Sequence, residues 1–423
     1  MPRRTVAFWA FAIIVSVAVI DVVHVARSLP RPLFGDEWRY IFYANNLLHG
    51  YFSPTDRIFL WNGPAYPLLL APFVSANWLD GARYANAVFH AFAMAHAWLI
   101  VHPRLGGWWS LGAIALVGVY PPIHEHVPLL YTEVFCVFLT TGWIYHSLRA
   151  ETSRLHLAIA GGYLAVLALT KVVFGVALTC FLVVMFVAWL RRRPSPLLAS
   201  YLVQAALALV LCLPYLAYTY QLTGRIYYWS SAGPNSFYWL TSPYPDEWGD
   251  WYNQGWVNED PLIRMHHKAF IDRTSGLVDN PALSDDEQLF NMSTPQAADL
   301  YVEEGLRNVR EHPVKFAKNW LGNVVRLFLD VPVSVRGTPF LNLYSLSHLP
   351  LVAWTIFVAV YARRRRVRFP PAWTPIAAFC LIALATYSVT SGTARFIIPL
   401  VPLWWLATCS WLGDCSGRMR SAA

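Results

Sequence analysis

The sequence predicts an all-α polytopic membrane protein with about ten transmembrane helices, interfacial helices and an extracytoplasmic loop domain. Of its 423 residues, 57% are hydrophobic and only 13% are charged, whereas an ordinary soluble domain has about 25% charged residues. Apolar stretches recur at the length that a helix needs to cross a hydrocarbon layer of about 30 Å. Water alone is therefore excluded as the solvent of this chain.

The net charge of +8 does not indicate a nucleic-acid partner. The basic residues form short clusters beside apolar stretches, as topology signals do, and do not line one face. The 6 cysteines lie in or beside apolar runs without a CxxC pair, which argues against a disulfide or cysteine-metal site. The first apolar run lacks a small-residue cleavage site and is interpreted as a retained anchor.

The positive-inside rule orients the predicted spans. Arg3 and Arg4 precede the first span, about residues 6–27, and place the N-terminus in the cytoplasm. The further spans are about 83–101, 107–122, 129–148, 155–170, 172–190, 198–218, 349–362, 373–390 and 396–412. With this set, the arginine clusters at 191–193 and 363–366 both lie inside.

The apolar segment at 64–77 is predicted to be a re-entrant or interfacial helix. It contains three prolines and is short for a span. Counting it as a crossing would also place the cluster at 191–193 outside. The chain then divides into a transmembrane catalytic module at 1–218 with its first outer loop at 28–82, an extracytoplasmic loop domain at 219–348, and C-terminal transmembrane helices at 349–423.

The loop domain is too long for an ordinary connection. Its Trp- and Tyr-rich part, 227–256, suits either a membrane interface or a sugar-stacking surface. A helix is expected to begin at Thr294, and the residues expected on its apolar face are Ala298, Val302, Leu306 and Val309. A second helix, 314–329, has the apolar and basic faces of a helix that lies in the membrane interface.

Asp36 and Glu37 follow the first span and precede a helical stretch that ends at Gly50. Two carboxylates at the membrane surface can cap the helix and oppose its dipole. Alternatively, one of them is a general base, because desolvation near a low-dielectric boundary raises the pKa of a carboxylate. The residues alone leave both interpretations open.

A second polar patch lies at the mouth of the span at 129–148. His124, Glu125 and His126 could hold a divalent cation or position an acceptor. Two histidines that flank a glutamate in a loop are weak spacing for a metal site, so no metal is predicted with these residues. Glu133 is more informative, because an ionisable group inside a span is usually paired or functional.

Two basic residues are also candidates. Lys171 lies between two apolar halves and must snorkel or find an anion. Arg395 lies at a helix mouth on the outer side, against the positive-inside trend. Each is either an interfacial anchor or a phosphate ligand, and Arg395 could bind phosphate bidentately.

Several short motifs occur in a recognisable order. They are Asp36-Glu37 with Arg39-Tyr40, NGPAYPLLLAPF at 62–73, Arg83, Tyr131-Thr132-Glu133, Thr170-Lys171, EHPVKFAKNWLGNVVRLF from Glu311, and Arg395-Phe396 with Pro399 and Pro402. In this order the motifs resemble the GT-C class of polyprenyl-phosphate-dependent membrane glycosyltransferases. The resemblance is to the protein O-mannosyltransferase and aminoarabinose transferase group, similar to glycosyltransferase family 39, and spans nearly the whole chain.

The resemblance implies roles for these residues. Asp36 is expected to be the catalytic base, with Glu37 and Glu133 in support. The residues expected to bind substrate are Arg39, Tyr40, Arg83, Lys171 and Arg395, the last two through the lipid phosphate. The chain departs from the family where the second acidic position is Glu133 and not Asp. It also has Asn62 and Gly63 where a lysine usually opens the proline-rich stretch.

The function that the resemblance implies is transfer of a hexose or pentose, with inversion, from a polyprenyl-phosphate donor to a hydroxyl of a lipid, glycan or protein. The expected location is the periplasmic or extracellular face of a bacterial cytoplasmic membrane. No cofactor is expected beyond a divalent cation that could assist. The alternatives are a transporter or flippase, a glycan polymerase or ligase, and a non-catalytic assembly protein. A transporter should carry its charges near the bilayer midplane, whereas here they cluster at one face.

Overall fold

The computed structural model describes residues 3–56, 58–191, 195–250, 260–274, 277, 294–331, 341–390 and 392–421. Within these ranges the regular elements are helices, and no strand occurs. Arg192 and Arg193 of the arginine cluster, residues 251–256 of the aromatic stretch, and Ser391 of the last outer turn lie outside the described residues.

The helices follow the apolar pattern of the sequence. The first part of the chain forms α1 (Arg3–Ser28), α2 (Glu37–Leu48), α3 (Ala65–Ser75), α4 (Leu79–Leu105), α5 (Gly107–Gly118), α6 (Pro121–His126), α7 (Glu133–Ser147), α8 (Arg154–Thr170), α9 (Val172–Arg191) and α10 (Pro196–Thr223). The remainder forms α11 (Ala232–Leu240), α12 (Pro261–Thr274), α13 (Pro295–Glu311), α14 (Pro313–Leu329), α15 (Leu343–Arg364), α16 (Thr374–Ser388) and α17 (Val401–Ser421), with 3-10 turns at Pro371–Trp373 and Ala394–Leu400.

Among the described residues, 7 helices are long and apolar enough to cross a membrane. They are Arg4–Ser28, Leu79–Leu105, Val172–Arg191, Pro196–Thr223, Leu343–Arg364, Pro371–Ser388 and Ala394–Cys415. This confirms the prediction of an all-α polytopic membrane protein. The other three predicted spans form the shorter helices α5, α7 and α8, of 12, 15 and 17 residues. The segment predicted to be re-entrant or interfacial forms α3, whose 11 residues are too few for a crossing.

Helix α7 lies inside the bundle and packs against α4 and α8. Its Trp143 is fully buried, and the ring lies 4.8 Å from that of Phe379 on α16. By contrast, α1 leaves large apolar side chains such as Phe8 and Phe11 exposed. Exposed apolar surface on a long apolar helix is what a lipid environment covers.

The 219–348 region has a second, smaller apolar core. Its buried side chains are Tyr238, Trp239, Ile263, Phe270, Ala297 and Tyr301, from α11, α12 and α13. Thr294 caps α13 by accepting from the backbone N–H of Ala297, as expected. The division of the chain at 219 and 348 stays a prediction.

The apolar face predicted for α13 is wrong at two of its positions. Val302 and Leu306 are exposed, whereas Gly305 and Asn308 lie on the buried side. The reason is the surface of α11, against which α13 packs. A Cβ atom at Gly305 would lie 2.7 Å from the Phe237 ring, so α11 approaches α13 where the side chain is smallest.

Helix α14 buries several polar residues against the rest of the protein. Asn319 donates to the carbonyl oxygens of Leu240 and Ser242, each at 2.9 Å. Asn323 donates to the carbonyl oxygen of Ser388 at 2.7 Å. Leu321 and Trp320 are exposed, whereas Leu327 is buried. The position of this helix in a membrane interface stays a prediction. The polar positions therefore join the 219–348 region to α16.

Candidate active site

The loop between α1 and α2 brings Asp36 to the beginning of α2. Asp36 occupies the N-cap position with helical backbone angles, and its side chain makes no capping hydrogen bond. One carboxylate oxygen accepts from Arg39, one turn further along α2. The other lies 2.5 Å from a terminal nitrogen of Arg395. Asp36 therefore serves as the counter-ion of two arginines and not as a helix cap.

The backbone before Asp36 is fixed by a close contact. Gly35 has φ +58°, and a Cβ atom there would lie 2.1 Å from the hydroxyl oxygen of Tyr131. The Tyr131 hydroxyl accepts from the Asp36 N–H at 3.3 Å and lies 3.4 Å from the carbonyl oxygen of Phe34. Glycine is required here by both backbone angle and space.

Glu37, the next residue, has a different environment. Its side chain is fully buried, and its two oxygens accept from the backbone N–H groups of Phe34 at 2.7 Å and Leu130 at 2.8 Å. Arg83 lies 3.5 Å away and also pairs with Asp80 at 2.9 Å. Glu37 and Arg83 thus join the segment between α1 and α2 to α4 and to the loop before α7. Glu37 and Arg83 are not members of the ion pairs that the Asp36 carboxylate makes with Arg39 and Arg395.

A second ion pair joins α7 to the turn between α8 and α9. Glu133 is the first residue of α7, and its Oε1 accepts from Nζ of Lys171 at 2.9 Å. Lys171 ends α8. Its Nζ also lies 4.9 Å from the centre of the Phe396 ring.

Arg395 connects the two ion pairs. It lies in the 3-10 turn Ala394–Leu400, and its guanidinium carbon is 5.1 Å from the ring centres of both Tyr131 and Phe396. Lys171 approaches the same Phe396 ring, and the charges of Arg395 and Lys171 both lower the pKa of Asp36. The structure therefore brings together Asp36, Arg39 and Arg395 and places Glu133 with Lys171 beside them.

The electrostatics of Asp36 differ from the expectation. Burial alone would raise its pKa, but the charges of Arg39 and Arg395 outweigh burial and lower the pKa to about 2. The predicted rise through desolvation is wrong for this arrangement. The sequence showed the low-dielectric boundary but not the two guanidinium groups, one of which is 359 positions away.

Tyr40 contacts the proline-rich segment at 62–73. The Tyr40 hydroxyl accepts from Nδ2 of Asn62 at 3.3 Å, and its ring meets that of Tyr66 edge-on at 5.0 Å. A Cβ atom at Gly63 would lie 2.0 Å from the carbonyl oxygen of Leu169. Gly63 therefore lets the proline-rich segment pack directly against the end of α8, just before Lys171.

The three weak metal candidates have different partners. Glu125 is half exposed and accepts from the Tyr344 hydroxyl at 3.1 Å. Nδ1 of His126 lies 2.8 Å from the carbonyl oxygen of Pro122. His124 instead contacts Asp21 at 2.7 Å. Asp21 was missed, although an acidic residue within an apolar run is itself a signal for a paired or functional group.

Comparisons with known proteins add the fold relationship. Neither a protein-family model nor a curated protein matches the sequence. The chain is similar to the archaeal oligosaccharyltransferase AglB from Archaeoglobus fulgidus, in a structure with an inhibitory peptide and a dolichol-phosphate. The TM-score is 0.51 and the identity 13%, over 98% of this chain and 52% of that one. The chain is also similar to a crystal structure of the Archaeoglobus fulgidus oligosaccharyltransferase tethered with an acceptor peptide. There the TM-score is 0.52 and the identity 13%, over 98% of this chain and 50% of that one.

A third structure is ArnT from Cupriavidus metallidurans bound to undecaprenyl phosphate. It has a TM-score of 0.40 and 15% identity, over 95% of this chain and 77% of that one, a likeness too low to carry an argument. This chain spans about half the length of the oligosaccharyltransferases that it matches. Its fold is GT-C-like.

Proposed function

We propose that this protein is a glycosyltransferase that moves a sugar from a polyprenyl-phosphate donor to an acceptor hydroxyl on the non-cytoplasmic side of the membrane. The observation that carries the proposal is the position of the Asp36 carboxylate between Arg39 and Arg395, beside the Glu133–Lys171 pair. A carboxylate and three cations at one site supply a base and an anion-binding surface. The GT-C-like fold supports the same class of enzyme.

The donor phosphate is assigned to Arg395 and Lys171. Both cations approach the Phe396 ring, and both charges act on Asp36. The proposal places one phosphate group against the two of them. Arg395 provides a planar, bidentate donor and Lys171 a compact charge. Fixed cations of this kind stabilise the negative charge that grows on the phosphate as it leaves.

The chemical step follows from this placement. The acceptor oxygen attacks the anomeric carbon, the bond between that carbon and the phosphate oxygen breaks, and polyprenyl phosphate leaves with inversion. Asp36 takes the proton of the acceptor hydroxyl. A positioned base of this kind typically contributes about 100- to 10,000-fold to the rate.

Donor binding is expected to activate Asp36. A carboxylate with a pKa of about 2 is a weak base. When Arg395 turns towards the phosphate, Asp36 loses one of the three positive charges that lower its pKa, and burial then raises the pKa. The base is therefore strongest when the donor is in place.

The proposal keeps both sugar classes and all three acceptor classes, with transfer of a hexose or pentose to a lipid, glycan or protein hydroxyl. The positive charge comes from Arg39, Arg395 and Lys171, so a divalent cation is not required, although one could assist. The proposed location is the periplasmic or extracellular face of a bacterial cytoplasmic membrane. On that face, Glu133 orients Lys171, Tyr40 supports the acceptor side, and Glu37 with Arg83 holds the loop that carries Asp36.

The test is transfer of radiolabelled sugar from synthetic polyprenyl-phosphate donors in membranes that contain equal amounts of each variant. Asp36→Asn should reduce transfer by about 100-fold or more. Asp56→Asn is the matched control, because Asp56 lies exposed in the same outer loop. Equal transfer by the wild type and Asp36→Asn would remove Asp36 as the base. Absence of transfer from any donor would favour the transporter or assembly alternatives.

A further inference from the structure

Three polar side chains meet inside the helix bundle, apart from the ion pairs of Asp36 and Glu133. Asp21 lies on α1, His90 on α4 and His124 on α6. Asp21 and His90 are fully buried. One potential ligand atom from each of the three lies within 4.8 Å of the other two. Three separate helices therefore direct a donor atom to one point.

The hydrogen-bond geometry constrains His124. Its Nε2 lies 2.6 Å from the carbonyl oxygen of Gly118, and its Nδ1 lies 2.7 Å from Oδ1 of Asp21. A carbonyl oxygen only accepts, so Nε2 carries a proton. In a neutral ring, Nδ1 then directs a lone pair at a carboxylate oxygen. The two atoms are therefore joined either by a proton, on the ring or on the carboxyl group, or by a metal ion that both of them bind.

His90 supplies a third potential metal ligand. Its Nδ1 lies 2.7 Å from the other oxygen of Asp21, so two imidazoles and one carboxylate face the same space. With Nδ1 protonated, His90 donates to Asp21; with Nδ1 unprotonated, its lone pair can bind a divalent metal together with His124 and Asp21. Nε2 of His90 is buried without a hydrogen-bond partner in the part of the chain that the structure describes. A strong bond at Nδ1 would offset the cost of that unpaired atom.

The surroundings of His124 are those of a metal ligand. Metal-bound histidines usually donate the other ring N–H to a carboxylate or a backbone carbonyl, as His124 does to Gly118. A Cβ atom at Gly118 would lie 2.5 Å from Met94 and 3.0 Å from Val17, so close packing against α4 and α1 fixes that carbonyl. The His124 side chain is 23% exposed and gives an ion a path to the site.

We propose that Asp21, His90 and His124 bind a divalent transition metal ion, and that zinc is the ion that best fits two imidazoles and one carboxylate. Such an ion would join α6 to α1 and α4. Because α6 also carries Glu125 and His126, the metal would fix the segment that leads to Tyr131 and Glu133. This inference does not depend on the proposed transferase activity.

The first test measures metal content. The full chain is purified in detergent with a tag that contains no histidine, and bound metal is measured by mass spectrometry of the elements. We expect zinc in equimolar amount with the wild type, and loss of most of it in His90→Ala and His124→Ala. His24→Ala is the matched control, because His24 is exposed on α1 one turn after Asp21. Equal zinc content in His124→Ala and the wild type would overturn the assignment.

The second test remains decisive if a variant fails to fold. The wild type is treated with a chelator, and its thermal stability is measured with and without added Zn²⁺. A ligand that binds only the folded state raises the melting temperature, so we expect Zn²⁺ to raise it in the wild type and in His24→Ala. Co²⁺ added in place of Zn²⁺ should give the visible absorption of a tetrahedral site. No stabilisation and no Co²⁺ absorption would show that the contact is a proton-mediated pair only.

Discussion

Asp36 and Glu37 are neighbours in the sequence and have opposite environments in the fold. The Asp36 side chain is 17% exposed and contacts two arginines, one from α2 and one from the turn before α17. Glu37 is fully buried, and backbone N–H groups from two loops fill both of its oxygens. The carboxylate of Asp36 contacts charged side chains that a phosphate could attract. Each oxygen of Glu37, by contrast, accepts from a backbone N–H that cannot move independently of its loop, in addition to the nearby charge of Arg83.

This difference separates a residue placed for chemistry from one that builds the loop. A base must exchange partners during the reaction, and Asp36 can do so because Arg395 is a long side chain with 22% exposure. Glu37 holds Phe34 and Leu130 together and so fixes the loop on which Asp36 stands. Such a division of roles agrees with the need to hold catalytic groups on rigid supports.

The largest expected effect on stability comes from Glu37→Gln. A glutamine has one acceptor oxygen, so either the Phe34 or the Leu130 N–H loses its partner, and the buried Arg83 loses a counter-charge. Breaking a buried charge pair typically costs about 3–5 kcal/mol. Thermal unfolding in detergent, followed by size-exclusion chromatography of the heated sample, measures this loss.

Asp36→Asn is the control for that prediction, because it makes the same chemical change one position earlier. We expect it to lower stability less than Glu37→Gln and to lower sugar transfer more than the residual folded fraction of Glu37→Gln explains. If both variants lost stability equally, the comparison between the two carboxylates would fail.

The next largest effect concerns the pH dependence of Asp36. In the wild type the flanking arginines lower its pKa from 3.8 to about 2, so the carboxylate stays ionised down to strongly acidic pH. Arg395→Gln removes one of these charges while burial remains, so the pKa should rise. The loss of activity on acidification should then begin at a higher pH than in the wild type. The measurement is kcat/KM against pH, which reports the free enzyme.

Arg395→Lys is the matched variant for this profile. It keeps the positive charge but not the planar, bidentate group. We expect its acid limb to stay close to that of the wild type, although its rate falls. Identical acid limbs in Arg395→Gln and the wild type would show that Arg395 does not control the ionisation of Asp36.

The sequence predicted the fold class and singled out charged residues that the fold brings together, because ionisable groups are conspicuous in apolar surroundings. The residues alone did not show that Asp36 and Glu37 have different environments, since these depend on Leu130 and Arg395, which only the fold brings near. The Asp21–His90 contact was missed for the same reason, as its members lie on different helices. The prediction of the buried face of α13 was wrong because Gly305, which has no apolar side chain, makes the close contact with Phe237.

The smallest effect tests how the loop holds Asp36 in place. Gly35→Ala puts a side chain at φ +58°, where an alanine costs about 1–2 kcal/mol, and directs its Cβ into the Tyr131 hydroxyl. The displaced backbone should move Asp36 away from Arg395, so sugar transfer should fall further than stability does. Thermal unfolding and transfer assays on the same preparation measure both changes.

Gly50→Ala separates the two causes. Gly50 also has positive φ, at +87°, but a Cβ atom there would meet nothing within 4 Å. The backbone cost is therefore present at both positions, and the steric contact only at Gly35. Transfer should fall in Gly35→Ala and not in Gly50→Ala, and Tyr131→Phe should restore part of the stability of Gly35→Ala because it removes the contacting oxygen. Equal loss of transfer in both alanine variants would mean that backbone strain alone, and not the Tyr131 contact, controls the position of Asp36.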